Sequence, residues 1–206
     1  MDTCEYLLLP FVEIEVRLGT FVTTNNSSGY FDNNIDKNYF QQIYNSLQLG
    51  TWKSIEETYT EEYYMNSEKK EKIRLINNTS VIMKENIMSN TIQLKNSPFD
   101  IRFSINQEFS LNSYIKSFDK KNCLIRNKTR KSYIADNFKY DLTYVIQIDN
   151  NIKKEKYEIE IELLMNKETL TWSNKYINDF LECKIYDLIK IVENVDRNLI
   201  KLKLIN

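Results

Sequence analysis

The sequence predicts an α+β fold: a closed antiparallel eight-stranded β-barrel with a polar interior, flanked by helices. Three observations predict it. Segments with period-two alternation follow one another from about residue 54 to 165, after a first such segment at 11–21. Helical periodicity is confined to two stretches, one after Asp36 and one after residue 173. The charged strand faces segregate by sign, and the two acidic strands stand far apart in sequence, so barrel closure makes them neighbours.

The first strand, FVEIEVRLGTF (11–21), puts Glu13, Glu15 and Arg17 on one face and Val12, Ile14, Val16 and Leu18 on the other. Residues 22–34 are rich in Asn, Ser and Gly and read as a loop. Asp36 caps a helix with an apolar stripe of Tyr39, Phe40, Ile43, Tyr44 and Leu47, and Gly50 ends it. Strands follow near 54–65, 71–77, 80–87, 90–96, 99–110, 122–134, 138–149 and 155–165. Polar turns such as Asn66-Ser67-Glu68, Asn77-Asn78 and Asp149-Asn150-Asn151 divide them. The last helix carries Tyr176, Ile177, Phe180, Leu181, Ile185, Leu188, Ile191 and Val192, and frays or turns near Asn194–Asn198. No linker or repeat divides the chain, so residues 1–206 read as one domain.

Composition narrows the chemistry. Lys and Arg total 28, Asp and Glu 29, and His is absent. Mechanisms that need an imidazole base, ligand or nucleophile are therefore excluded. The net charge of −1 gives no global pull towards nucleic acid or membrane, so any attraction rests on local segregation of charge. Cys4, Cys123 and Cys183 are widely spaced and form no CxxC pair, which argues against a disulfide framework or a Cys-based zinc site and for a reducing compartment. The first residues lack the pattern of a signal peptide, and no stretch has the length of a membrane span.

The strand faces carry the sharper signal. Glu158, Glu160 and Glu162 share one face, opposite Tyr157, Ile159, Ile161 and Leu163. Arg126, Lys128, Arg130 and Ser132 share another, and Lys139, Asp141 and Thr143 a third. Asp100, Arg102, Ser104, Asn106 and Glu108 oppose Ile101, Phe103 and Ile105. Arg74 and Lys84 also stand in alternating strands. Half-buried antiparallel strands ordinarily show a polar solvent face. Here three like charges run side by side on single strands, although such charges repel. Five of the six Arg lie on these strands, in a sequence that otherwise favours Lys. The consequence is a barrel with its apolar face outward under helices and an interior suited to an anion. Carboxylates without His form a hard-metal site for Mg²⁺ or Mn²⁺, and a neighbouring set of Arg and Lys suits a polyphosphate. Together they describe metal-assisted phosphoryl transfer.

The motifs VEIEVRLG (12–19) and YEIEIELL (157–164) resemble the first and closing glutamate motifs of the triphosphate tunnel metalloenzymes. Between them FDIRFSINQE (99–108), IRNKTRKSY (125–133) and KYDLTYV (139–145) are similar to the family's inner basic and Asp-x-Thr strands, in the same order. Within that superfamily the chain resembles the metal-dependent RNA 5′-triphosphatases of mRNA capping, of fungal, protozoal and large DNA virus type. The resemblance implies that Glu13, Glu15, Glu158 and Glu160 bind the metal, with Glu162 in the same catalytic cluster. It implies that Arg126, Lys128 and Arg130 hold the phosphates, with Arg126 catalytic, helped by Arg102, Arg74 and Lys84. Arg17 and Lys139 stand at inner positions expected to be basic, and Glu108, Asp141 and Thr143 would order their neighbours. The region 71–96 matches the family least.

The resemblance implies removal of the γ-phosphate from a 5′-triphosphate RNA end, with Mg²⁺ or Mn²⁺ as cofactor and an NTP side activity. Glu160 or Glu162 would orient the water. The implied partners are 5′-triphosphate RNA, a guanylyltransferase, as a separate chain or fused module, and a second copy of this chain in a homodimer, with no membrane. The implied location is intracellular: nucleus in a cell, cytoplasmic factory or virion for a virus. Two other functions fit less closely: a tunnel phosphohydrolase or polymerase of small polyphosphates, and a non-catalytic RNA-binding capping subunit. The chain has no KxDG motif for guanylate transfer and no CxxxxxR loop of a cysteine phosphatase. Trp52 and Trp172 are expected to be structural.

Overall fold

In β1 (Val12–Thr24) the apolar positions Ile14, Val16 and Leu18 are fully buried on one side, and Glu15 is buried on the other. Burial of both faces needs a layer on each side, and closure of the sheet supplies it. The computed structural model describes residues 4–24, 27–65, 72–95 and 97–193. The strands after β1 are β2 (Ser27–Asp32), β3 (Ser54–Tyr64), β4 (Lys72–Ile76), β5 (Ser80–Ile92), β6 (Asp100–Ser110), β7 (Leu124–Ile134), β8 (Phe138–Asp149) and β9 (Ile152–Leu163). The order is β2-β1-β6-β5-β4-β3-β7-β8-β9, and β1 also pairs with β9. Eight strands thus close a ring, and β2 lies outside it as an extra strand on β1.

Closure is antiparallel, with Ile14 opposite Leu163, Glu15 opposite Glu162 and Arg17 opposite Glu160. Two Asn-Asn pairs make the tight reversals. Asn77 and Asn78 between β4 and β5, and Asn150 and Asn151 between β8 and β9, all take positive φ, which Asn tolerates better than most residues. The expected turn at Asn66-Ser67-Glu68 lies outside the described residues.

The outer face is covered on one side by two helices, α1 (Lys37–Gln48) and α2 (Asn174–Val192). Asp36 caps α1 by accepting the Asn38 N–H, and the Ser173 side chain caps α2 at Tyr176. Ile43 and Leu47 of α1, and Ile177, Leu181, Ile185 and Leu188 of α2, join Ile101, Phe103, Leu142, Ile159 and Ile161 in one core. Each such side chain contributes about 1.5–3 kcal/mol on full burial. Trp52 donates to the Leu47 carbonyl at 2.7 Å and packs on Tyr133 and Tyr140. Trp172 packs on Tyr176 and Phe180, so both tryptophans are structural. No disulfide joins the three cysteines. Among the described residues no helix is long and apolar enough to cross a membrane.

Three expectations change. Residues 22–34 are not wholly a loop: β1 runs on to Thr24 and pairs antiparallel with β2, with Phe21 opposite Phe31 and Val22 opposite Tyr30, while Asn33 and Asn34 follow β2 outside any strand. Ladder pairing offsets the low strand propensity of Ser and Gly in β2. Segments 80–87 and 90–96 are one strand, β5, whose register shifts between Asn86 and Met88, so a bulge breaks its alternation without ending it. Gly50 follows the helix end but has no positive φ. Its lack of a side chain matters for another reason: a Cβ there would lie 2.9 Å from the Trp52 Nε1. The expected fraying at Asn194–Asn198 lies outside the described residues.

Candidate active site

The period-two pleat fixes what faces inward. From β1 come Glu13, Glu15 and Arg17, and from β9 Glu158, Glu160 and Glu162. β7 supplies Arg126, Lys128 and Arg130, and β6 supplies Arg102, Ser104, Asn106 and Glu108. Arg74 of β4 and Lys84 of β5 complete the set expected from sequence. They surround one cavity of about 340 Å³, with eight cationic side chains and six carboxylates in its lining. The cavity thus brings both signs together, in a chain whose net charge is −1.

The inner faces of β7 and β9 carry one sign each, but the tunnel mixes them. Lys84 reaches Glu13 at 2.5 Å and Glu15 at 3.4 Å. Arg17 stands 3.1 Å from Glu15 and 2.8 Å from Glu160. Arg74 meets Glu108 at 2.9 Å and Lys128 meets Glu62 at 2.7 Å. Arg126 donates to Glu158. Arg130 donates to Thr143 at 3.1 Å, to Asp141 at 3.0 Å and to Glu160 at 3.4 Å. Lys139 is not among the cavity-lining residues; it pairs with Asp141 and Glu162 at 3.4 and 3.0 Å.

These pairs set the protonation states. Burial opposes the Arg17 charge, but Glu15 and Glu160 outweigh it and raise its pKa. Burial pushes the Glu160 carboxyl up, yet Arg17 and Arg130 hold it well below the usual carboxylate range. Burial also raises Glu62, and Lys128 and Arg74 outweigh it to bring the group down to about 2. Glu162 goes the other way: burial takes it to about 7 against the pull of Lys139, and Glu13 adds to the rise. Arg102 is lowered by burial and by Arg17, with Glu15 opposing.

The structure adds residues that the sequence reading did not single out. Glu62 is buried beside Lys128 and accepts from the Tyr64 hydroxyl. Tyr64 and Lys72 line the cavity, and Asn33 donates to Glu158 at 2.8 Å. Asn106 donates to Glu15 at 2.9 Å. Asn106 was visible on the inner face of its strand. Glu62 is one of four glutamates in SIEETYTEEYY, which show no alternation. Asn33 fell in the supposed loop.

Among the described residues three guanidinium Nε atoms, of Arg74, Arg102 and Arg126, are buried with neither a hydrogen-bond partner nor an ion-pair contact. Arg17 Nε lies near Glu160 but off the hydrogen-bond line. Buried donors of this kind are normally satisfied, so their clustering around one cavity marks a place for an acceptor-rich ligand.

The family model described as "mRNA capping enzyme, beta chain" matches residues 10–201. Among solved structures, the S. pombe Pct1 RNA triphosphatase is similar with a TM-score of 0.69 and 20% identity, over 91% of this chain and 89% of that one. The same protein in complex with the Spt5 CTD gives 0.66 at 19% identity, over 91% and 90%. The Mimivirus capping enzyme triphosphatase gives 0.63 at 17% identity, over 92% of each chain. No curated protein matches the chain by sequence. At these identities the structural likeness is one of fold.

Proposed function

We propose a reaction for this chain from one premise: it belongs to the mRNA capping enzyme β-chain family, the mRNA triphosphatases. It is an RNA 5′-triphosphatase, a hydrolase that removes the γ-phosphate in the first step of cap formation. The observation that supports the reading at the level of this chain's own residues is the group of three unpaired guanidinium Nε donors, of Arg74, Arg102 and Arg126, around a cavity rich in carboxylates.

The donor set fits a divalent cation. All the candidate ligands are carboxylate oxygens, which suit Mg²⁺ or Mn²⁺. Among the described residues no three of them converge as a ready metal cluster, because each is drawn to a Lys or Arg. Glu13, Glu15 and Glu162 are the set we favour, since β1 and β9 are adjacent and Glu15 stands opposite Glu162. The sequence reading gave this role to Glu158 and Glu160 with Glu13 and Glu15. Glu160, however, lies against Arg17 and Arg130 with both its oxygens, and Glu158 takes Arg126 and Asn33. A bound divalent cation supplies neutralisation of charge on the phosphoryl oxygens.

Arg126, Lys128 and Arg130 on β7 hold the triphosphate, and Glu158, Glu62 and Asp141 keep them aimed. Arg17, Arg74 and Lys84 face it from other strands. Fixed cations of this kind stabilise charge that develops on the transferred group without reorganising. A glutamate of the β1 and β9 faces orients the water. Its oxygen bonds to the γ-phosphorus in line as the bond to the β-phosphate oxygen breaks, and the electron pair stays on the diphosphate end. The water's proton passes to the carboxylate and then to solvent.

That diphosphate end is the substrate for a guanylyltransferase, which must be another chain or a fused module. An intracellular location and a homodimer are consistent with this role, and an NTP side activity follows from the shared triphosphate. The test uses γ-labelled triphosphate RNA, with ATP and inorganic triphosphate in parallel. Labelled phosphate should appear only with Mg²⁺ or Mn²⁺ and leave a diphosphate RNA end. Release of pyrophosphate, or no release with either metal, would overturn the reaction.

A further inference from the structure

The two ends of the tunnel differ. Strand register puts Glu13 at the start of β1, Glu108 towards the end of β6 and Glu162 at the end of β9, all at one mouth, beside Lys139. The other mouth opens into a cavity of about 460 Å³ lined by Arg17, Lys72, Arg102, Arg126 and Lys156, with Asp149 and Glu158 as its acids. Phe31 and Tyr64 face the same space.

The cations also differ in commitment. Arg17, Arg74, Lys84, Arg126, Lys128 and Arg130 each pair with a carboxylate. Among the described residues Arg102 and Lys72 show no such pair, and both line the tunnel and its cationic mouth. Arg102 instead lies over the Phe31 ring, with its Cζ 4.7 Å from the centroid.

That stack is built from beneath. Phe31 sits on β2, held opposite Phe21. The Asp100 carboxylate accepts the Phe21 N–H at 2.7 Å and fixes the hairpin to the start of β6, two residues from Arg102. Gly19 leaves room for the ring: a Cβ there would lie 2.6 Å from Phe31 Cζ. The extra strand that the barrel does not need thus places an aromatic ring under the uncommitted guanidinium.

We propose that this mouth admits the RNA, and that Arg102, laid over Phe31, is the stacking platform for its first nucleobase while Lys72 takes the phosphate joining the first two nucleotides. The inference rests on the triphosphatase reading. Guanidinium planes stack on bases, and stacking tolerates any base because each has a π face. The γ-phosphate then points inward, towards Glu13, Glu15 and Glu162. The face of Arg102 therefore recognises the nucleoside, a contact that inorganic polyphosphate cannot make, which separates RNA from inorganic polyphosphate.

The test is a binding measurement on the full chain in Mg²⁺. The probe is an RNA with 2-aminopurine as its first base and a β,γ-methylene triphosphate end. A non-hydrolysable inorganic tripolyphosphate analogue is the comparison ligand. Wild-type protein should quench the 2-aminopurine. Arg102→Gln should lower RNA affinity about tenfold relative to the tripolyphosphate analogue and remove most of the quench. Arg102→Lys, which keeps the charge and loses the plane, should also remove the quench. Lys72→Gln should keep the quench and reduce the salt slope of RNA binding by about one. Equal loss of both ligands in Arg102→Gln would make Arg102 a plain phosphate ligand and overturn the platform, as would a quench that survives in both Arg102 variants. Failure of wild-type protein to release phosphate from triphosphate RNA would instead remove the underlying reaction.

Discussion

The barrel wall has a covered half and a bare half. In β9 four successive residues, Glu158 to Ile161, are buried, because the isoleucines lie under helices and the glutamates face the tunnel. In β3 the six residues Ser54 to Tyr59 are all exposed, and only Glu62 of the strand is buried. Both strands pair along their length with neighbours in the same sheet. The difference is what lies outside the wall. A covered strand is sorted into apolar and charged faces that are both buried, while a bare strand leaves even Ile55 and Tyr59 exposed and is held mainly by its ladder.

The contrast can be broken first at the core. Phe103→Ala, on the covered side, should cost about 3–5 kcal/mol in urea unfolding. A loss near zero would mean that the helices do not seal this half. Next comes Glu62, the one buried residue of the bare strand. Glu62→Gln should cost about 1–3 kcal/mol, because Lys128 loses its charged partner. If Glu62→Gln is neutral, the interior of the bare half is solvated like its exterior.

The same pair sharpens the contrast through pH. Glu62 has an ordinary value of 4.5 and is held at about 2 in the fold. A depressed carboxylate contributes stability above its unfolded pKa and loses it as pH falls through the folded one. The urea midpoints of wild type and Glu62→Gln should therefore differ at pH 6 and converge as pH drops from 4.5 towards 2. Parallel midpoints over that range would sink the assignment. The smallest effect belongs to the outside of β3: Ile55→Ala should stay within about 0.5 kcal/mol of wild type, since Ile55 is exposed.

This contrast also explains what could be read in the sequence. β1 and β9 were legible because each is buried on both sides, so charged residues alternate with Val, Ile and Leu over 12–18 and 158–163. Closure through these two strands followed from their matching acidic faces. Asp141 and Thr143 were placed by the resemblance, and they hold Arg130. The bare half was harder. Glu62 was lost among exposed glutamates, and β5 was split at the bulge between Asn86 and Met88, which interrupts its alternation. The β1–β2 hairpin was misread because its ladder, not its composition, makes it a strand. Asn33 and Phe31 were lost with it, and both face the cationic mouth.

The central claim is that the buried carboxylates of the covered half and the cations around them form a single metal-dependent triphosphatase site. The most direct measurement is metal-dependent phosphate release from triphosphate RNA by Glu13→Ala and Glu160→Ala. Each should fall about 100-fold or more while the thermal midpoint shows a folded protein. Unchanged release in folded variants would contradict the account.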